Sequence, residues 1–522
     1  MAPVHLGQLM PTTPTAMEIA MARSAGLVSR PSHATPLEAA VQPVVKSSVE
    51  REIKLAVNDQ FRLPHLHGAQ LPRRLLTSTY YDTPSYDLTH AGITLRQRVE
   101  HGTYKWQLKL PLIMDRQELE IVDRQPVPPT VFRDLLVLHI GRRPLTSVAT
   151  LRTRRTGVRV CRDNVPIADV SLDDVSVVKH GVVIQHFREV EVEQINGEDT
   201  TLSDLEHQLR QAGADDHDGR PKLFRALALP PPGSNLPPEP DAPVLEHVKW
   251  ALGRHVRWLV AHDPGTRLGR EPESLHQMRV ATRKIRAVLH AAKPLLIPDW
   301  VDSLQKDVAW LTQVLGPARD LDVQLSYFRS EATNLASRDR QPLMRFVQQL
   351  ESQRTQVQKV VLRELTSARY FDLVGRLRTA VQDPSVVEST LTLHDLATRE
   401  FKKLRKAICR VGASPSSATV HKIRIKTKRA RYTAELEEPT IGKPARRFIK
   451  KARVLQDMLG MHQDAIQAEG HVRAFLKHST SVRAGFVAGR MVERQRKRRE
   501  QARSQMRKLW KGLLKRGKQA WG

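Results

Sequence analysis

Apolar and polar positions change their period once along this chain. Before Leu229 apolar residues recur at every second position in short runs, among them VEREIKLAV, ITLRQRV, YKWQLKL, RQELEIV, IADVSLDDVSVV and FREVEVEQI. Period two gives a strand two unlike faces, and turn residues separate the runs, so this part predicts an antiparallel sheet or barrel. STYYDT and VRVCRD read as further strands, whereas PTVFRDLLVLHI and TTLSDLEHQLRQAG space their apolar residues by three and four and predict helices. Beyond Pro243 the spacing is helical, with proline or glycine at the segment ends.

Seven prolines between Leu229 and Pro243, in LPPPGSNLPPEPDAP, predict an extended linker where the period changes. Residues 1–45 are rich in Ala, Pro, Thr and Ser; they predict a disordered tail with a short helix near Met17–Arg23 and no secretory signal. The expected organisation is thus a tail (1–45), a sheet domain (46–229), a linker (230–243) and a helical domain (244–522).

The helical part repeats itself. HQMRVATRKIRA from His276 is matched by HKIRIKTKRARY from His421, and LTQVLGPARD from Leu311 by LQDMLGMHQD from Leu455. The offsets, 145 and 144, are nearly equal, which implies two similar helical bundles related by duplication.

Charge divides at the same place. The net charge is +29, yet residues 1–230 carry 28 basic and 27 acidic residues, and the remainder carries 56 and 28. A strongly basic half points to a polyanion: nucleic acid, inorganic polyphosphate or an anionic membrane surface. No apolar run is long enough to span a bilayer. Aromatics are only 5%, and no nucleic-acid reader motif is present, so polyphosphate ranks above nucleic acid. The two cysteines, Cys161 and Cys409, have no metal-ligand spacing and predict a reducing compartment.

The sheet half alternates charge as well as hydropathy. Glu50, Glu52 and Lys54 share one face of the first strand; Arg96 and Arg98, then Lys109, then Arg116, Glu118 and Glu120 follow. Arg152 and Arg154 share a face with Arg155 opposite, Glu189, Glu191 and Glu193 form a row, and Lys222 and Arg225 come late. Each single row could be a solvated sheet face. Six such rows whose other faces are apolar predict a shared charged interior, a tunnel if the sheet closes. Carboxylates hold hard divalent cations and Arg or Lys holds phosphate oxygens, so the set describes a pocket for a metal-bound polyphosphate without a P-loop.

These residues resemble the CYTH family of triphosphate tunnel enzymes, over about Lys46 to Leu229: Glu50-x-Glu52-x-Lys54, the Leu95-Arg96-x-Arg98 strand, Lys109 and the paired-Glu strand occur in the family's order. The resemblance implies an eight-stranded antiparallel tunnel that takes a triphosphate with Mg²⁺ or Mn²⁺. One departure is Pro221 ahead of Lys222, where the family often has Ser. Glu50, Glu52, Asp173, Glu189 and Glu191 are the expected metal ligands. Arg96, Arg98, Lys109, Arg152, Arg154 and Lys222 are the expected phosphate ligands, and Lys54 contacts phosphate or orients a carboxylate.

In the helical half His276, Arg279, Arg283 and Arg286 are spaced to fall on one narrow helix face, and His421, Arg424, Lys428 and Arg431 repeat that spacing. No acid occurs from His276 to Lys293. The pattern, with Asp320 and Asp464 in the second pair of repeats, resembles the CHAD domain. That implies two four-helix bundles facing a groove that binds inorganic polyphosphate.

The expected whole is an α+β multidomain protein: a cytoplasmic triphosphatase, possible company for polyphosphate granules, whose tunnel hydrolyses inorganic triphosphate and whose helical half binds long polyphosphate. The competing readings are a non-enzymatic polyphosphate-binding protein and a thiamine triphosphatase or adenylate cyclase of the same family.

Overall fold

Alternation over long runs gives long strands, because each must bury one face on both sides of a turn. In a computed structural model, residues 46–111, 116–196, 200–217, 220–229, 236–412, 415–477 and 481–522 are described. The expected tail with its helix near Met17–Arg23, and part of the proline-rich stretch, lie outside them.

The strands are β1 (Lys46–Glu50), β2 (Glu52–Val57), β3 (Gly68–Asp82), β4 (Thr94–Glu100), β5 (Thr103–Pro111), β6 (Arg116–Val122), β7 (Thr146–Arg162), β8 (Val165–Lys179), β9 (Val182–Gln194) and the short β10 (Asp215–Asp216). They form one antiparallel sheet in the order β1-β6-β5-β4-β3-β7-β8-β9-β2-β10. β1 pairs with β6 and β2 pairs with β9, yet only Arg51 separates β1 from β2 in the chain. One continuous segment therefore joins the two ends of the sheet. With β1 and β2 counted as one broken strand, and the two-residue β10 on β2 left aside, the sheet closes with eight strands.

Outward apolar residues are covered by helices. α2 (Thr130–Ile140) packs Phe132, Leu135 and Leu136 on Leu95, Leu108, Leu119 and Ile121, after a short α1 (Asp87–His90). α3 (Thr200–Gln211) packs Leu205 and Leu209 on Leu55, Val170, Val190 and Val192. One end of the interior is apolar, with Tyr80, Leu151, Val175, Val177 and Phe187 meeting Leu223 of α4 (Lys222–Ala226).

The helical half comprises α5 (Val244–Ala261), α6 (Asp263–Leu268), α7 (Pro272–Ala292), α8 (Pro298–Thr333), α9 (Ser337–Leu365), α10 (Ala368–Gln382), α11 (Leu393–Cys409), α12 (Ser417–Ile441), α13 (Lys443–Leu476) and α14 (Val482–Trp521). The apolar stripes of α5, α7, α8 and α10 form one core. Those of α11, α12, α13 and α14 form a second. A third core joins the far ends of α8, α9, α13 and α14. The repeat seen in the sequence thus becomes two bundles whose long helices meet beyond them. Residues 45–522 form a single unit, and α2 packs on α6, so Leu138 enters the first bundle's core and Leu268 packs on the tunnel's outer core. Among the described residues no helix is long and apolar enough to cross a membrane.

Candidate functional site: a charged tunnel and a basic groove

Strand register sets the tunnel's chemistry. Glu52 stands opposite Glu193, Lys54 opposite Glu191, Asp173 opposite Glu189, and Arg155 opposite Asp173. Cross-strand neighbours share a face, so these residues converge inside. Glu50 ends β1 opposite Arg116, and its side chain lies outside the described residues.

The deep part is a dense ion-pair network. Lys222 Nζ lies 2.7 Å from Asp173 Oδ2 and 2.9 Å from both Glu189 Oε1 and Glu191 Oε1. Arg155 donates to Asp173 through Nε at 2.7 Å and Nη2 at 2.6 Å, and to Glu191 at 2.5 Å. Lys54 bonds Glu191 and stands 3.5 Å from Glu52 and 3.8 Å from Glu189. Arg225 and His217 reach Glu189 at 3.3 and 3.5 Å. Burial alone would favour neutral acids, but Lys222, Lys54 and Arg155 hold the Glu191 carboxyl well below the usual range. Burial also opposes charge on Lys222, and Asp173, Glu191 and Glu189 outweigh it, raising the ammonium's pKa.

The opposite wall is cationic and less satisfied. Arg96 donates to Gln107 at 2.8 Å and to the Tyr80 hydroxyl at 3.1 Å. Lys109 stands 3.2 Å from Glu118. Arg98 is different: its Nε is buried without a hydrogen-bond partner, and burial, then Arg96 and Arg155, push the guanidinium down to about 10. Tyr80 and Glu118 offset those neighbouring cations only in part. At the other rim Glu193 carries a raised carboxyl, through burial first, opposed by Lys109 and reinforced by Glu52 and Glu191.

Two expected phosphate ligands do not reach this interior. Arg152 and Arg154 are exposed on the outer face of β7, and Arg155 points inward instead. The reason is the apolar end of the tunnel: Leu151 packs inside with Val175, Val177 and Phe187, which puts Leu151, Thr153 and Arg155 on the inner face. Asp173 and Glu189, expected as metal ligands, lie in the deep network rather than beside Glu52. Among the described residues no three acids or histidines converge as a formed metal site. The donor set nonetheless suits a hard divalent cation: it is all carboxylate oxygen, and Glu52 and Glu193 face one another at the rim as like charges.

In the helical half the two predicted basic faces confront each other, α7 against α12. Arg424 is lowered by burial, then by Arg283, and Lys428 falls to about 6 through burial, then Arg424, Arg283, Arg279 and Arg431. Buried Nε atoms of Arg283, Arg424 and Arg431 have no hydrogen-bond partner. His276 is half-buried, with its pKa lowered by burial and then Arg319, while His421 and Arg286 are exposed. Acids missing from His276 to Lys293 arrive from other helices: Asp320 of α8 stands 3.6 Å from Arg279, and Glu435 of α12 stands 3.8 Å from Lys284.

Sequence reasoning did not find Tyr80, Gln107 or His217 as tunnel residues. Gln107 sits in the predicted inward row of β5, so parity could have found it; Tyr80 and His217 carry no such signal. Lys284 was missed because it falls outside the narrow helical stripe.

Comparison with known proteins agrees with this architecture. The CYTH domain model matches residues 48–220 and the CHAD domain model matches residues 251–473. The chain therefore carries a CYTH domain followed by a CHAD domain. It is 29% identical over 490 residues to the uncharacterized protein Rv2226 of Mycobacterium tuberculosis, spanning 85% of this chain and 92% of that one. Among solved structures, the CHAD domain from the plant Ricinus communis is 24% identical, covering 53% of this chain and 95% of that one with a TM-score of 0.44. PptA from Streptomyces chartreusis is 20% identical, covering 52% and 100%, with a TM-score of 0.43.

Proposed function

We propose that the tunnel hydrolyses a triphosphate in a metal-dependent reaction, with inorganic triphosphate as substrate, and that the helical groove binds inorganic polyphosphate. The observation that carries the first part is Arg98, a buried guanidinium with an unpartnered Nε beside Arg96 and Arg155. A phosphate oxygen is the ligand that such a cluster lacks. Arg96, Arg98, Lys109 and Arg155 would hold the phosphates, and Lys54 would bridge them to the acidic wall.

Glu50, Glu52, Glu191 and Glu193 would hold Mg²⁺ or Mn²⁺, which when bound neutralises phosphate charge and acidifies water. Asp173 and Glu189 fix Lys222 and Arg155 in place. Acids on this scale distinguish the tunnel from a plain anion trap, because anion binding alone gains nothing from a row of carboxylates. In the groove, the buried, unpartnered Nε atoms of Arg283 and Arg424, with Arg424 and Lys428 lowered by burial and neighbouring cations, are the corresponding support for a polyanion.

The test has two arms. Replacing Glu52 by Gln should cut phosphate release from triphosphate by orders of magnitude while long-chain polyphosphate stays bound. Replacing Arg279, Arg283 and Arg424 by Ala should weaken polyphosphate binding and leave triphosphate turnover intact. Turnover that survives Glu52→Gln contradicts the metal assignment; a groove variant that loses only DNA binding contradicts the polyphosphate assignment.

A further inference from the structure

The last helix changes character halfway along. In its first half α14 pairs its cations with acids of other helices: Arg490 stands 3.2 Å from Asp339, Arg499 stands 2.6 Å from Glu469, and Arg494 meets Glu331. After Glu500 the chain has no Asp or Glu, yet seven more Lys and Arg follow. Among the described residues none of those seven forms an ion pair. α11 opens a second such stretch, with no acid between Glu400 and Glu435.

Packing lays the two acid-free stretches side by side. A Cβ at Gly517 would collide with the Phe401 ring, so α14 seats directly on α11 there. Trp521 packs on Phe401 and Phe448, and its Nε1 donates to the buried Glu437 Oε2 at 2.7 Å. The end of α14 is thereby pinned. Between the two helices lies a groove of about 720 Å³, lined by Arg405, Cys409, Lys511, Leu514, Lys515 and Lys518. The three lysines are exposed and spaced i, i+4 and i+7, so they share one helix face over about 10 Å. None of these residues belongs to the cation stripes of α7 and α12, and the three lysines lie beyond the residues matched by the CHAD model.

We infer that this α11–α14 groove is a second seat for a linear polyanion, and that its ligand is inorganic polyphosphate. This rests on the polyphosphate reading of the helical half and adds a site to it. Four cations held around one groove without a carboxylate repel one another, and a chain of negative charges relieves that repulsion. Lysine is a compact point charge on a flexible stem, which suits a row of equivalent phosphates more than one fixed group. Single-stranded nucleic acid fits less well: Trp510 and Trp521 are buried, and no aromatic ring lines the groove for a base to stack on. A chain long enough to reach both grooves gains from the second contact as an intramolecular event.

Cys409 reports on the groove from within. The test uses the full chain in chelator, with Cys161→Ser so that Cys409 is the only thiol, and follows its alkylation by an uncharged maleimide. Saturating long-chain polyphosphate should slow the reaction several-fold. The central-groove variant Arg279→Ala with Arg283→Ala and Arg424→Ala should keep that protection at saturation. Lys511→Gln with Lys515→Gln and Lys518→Gln should lose it, and its affinity for long chains should fall roughly tenfold, the scale of three exposed ion pairs. Polyphosphate that binds without slowing alkylation, protection that survives the lysine variant, or protection that vanishes in the central-groove variant overturns the second seat. Equal protection by a single-stranded oligonucleotide at the same phosphate concentration overturns the choice of polyphosphate. A parent chain that binds no long polyphosphate overturns the reading beneath, which is a distinct failure.

Discussion

Arg155→Ala should unfold the tunnel more easily, and Arg152→Ala and Arg154→Ala should not. The Arg155 guanidinium makes two hydrogen bonds to Asp173, a carboxylate with no exposed surface, and a third to Glu191. Deleting it takes one cationic partner from each of two inward acids. Breaking a buried pair from one side typically loses about 3–5 kcal/mol, and Lys222 still holds both acids here, so the lower end, about 3 kcal/mol, is expected. For a domain of this size that is a fall of about 6–12 °C in the midpoint of the transition that reports the sheet. Arg152 and Arg154 lie on the exposed outer face, where substitutions usually fall within about 0.5 kcal/mol.

The pH dependence gives an internal check. Burial opposes the ionised Glu191, and Lys222, Lys54 and Arg155 depress its pKa below the unfolded value. A depressed acid contributes stability above the unfolded pKa of about 4.3 and loses it as pH falls through the folded value. The gap between Arg155→Ala and the parent chain should therefore be widest near neutrality and narrow in acid. Thermal melts over a pH series decide the matter: equal effects at 152, 154 and 155, or a gap independent of pH, would refute the inward assignment of Arg155.

Other outcomes follow from the groove. Lys428 sits near 6 in the free protein, lowered by burial and by Arg424, Arg283, Arg279 and Arg431, so a polyanion should raise it. Binding should take up a proton above about pH 6 and strengthen as pH falls towards that value; calorimetry in buffers of different ionisation heat measures the uptake, and Lys428→Met should abolish it. For the folding equilibrium the sign is the opposite of a paired lysine: stability rises with pH between about 6 and the unfolded value, because the unfolded chain binds the extra proton. Gly316 lets Arg279 lie on α8, since a Cβ there would stand 2.7 Å from Arg279 Nη1, and Arg279 Nη1 donates to the Thr312 carbonyl at 3.2 Å. Gly316→Ala should keep or raise helix stability, by up to about 1 kcal/mol, while weakening polyphosphate binding.

How far the sequence discloses such a site depends on which face of each strand is unambiguous. Rows in which charged and apolar residues alternate cleanly, such as Arg96 and Arg98 against Leu95, or Glu189 and Glu191 against Val190 and Val192, placed their residues correctly inside. β7 misled because its inner face is itself mixed: Leu151 seals the apolar end and Arg155 serves the charged part. Ordinary amphipathic logic sends that leucine outward and takes the arginines at 152 and 154 inward. The closure at Arg51 was also invisible, since one alternating run gives no sign that its two halves pair with strands at opposite ends of the sheet. In the helices, spacing fixed the basic faces, but the acids that temper them come from other segments. Asp320 and Glu435 meet Arg279 and Lys284 only through the packing of the bundles.

The most direct measurement is phosphate release from inorganic triphosphate by the full chain, with and without Mg²⁺ or Mn²⁺, alongside Glu52→Gln. The account predicts release that requires the divalent cation and collapses by orders of magnitude in the variant, with long-chain polyphosphate binding retained. Release that proceeds equally in chelator, or that survives Glu52→Gln, would contradict it.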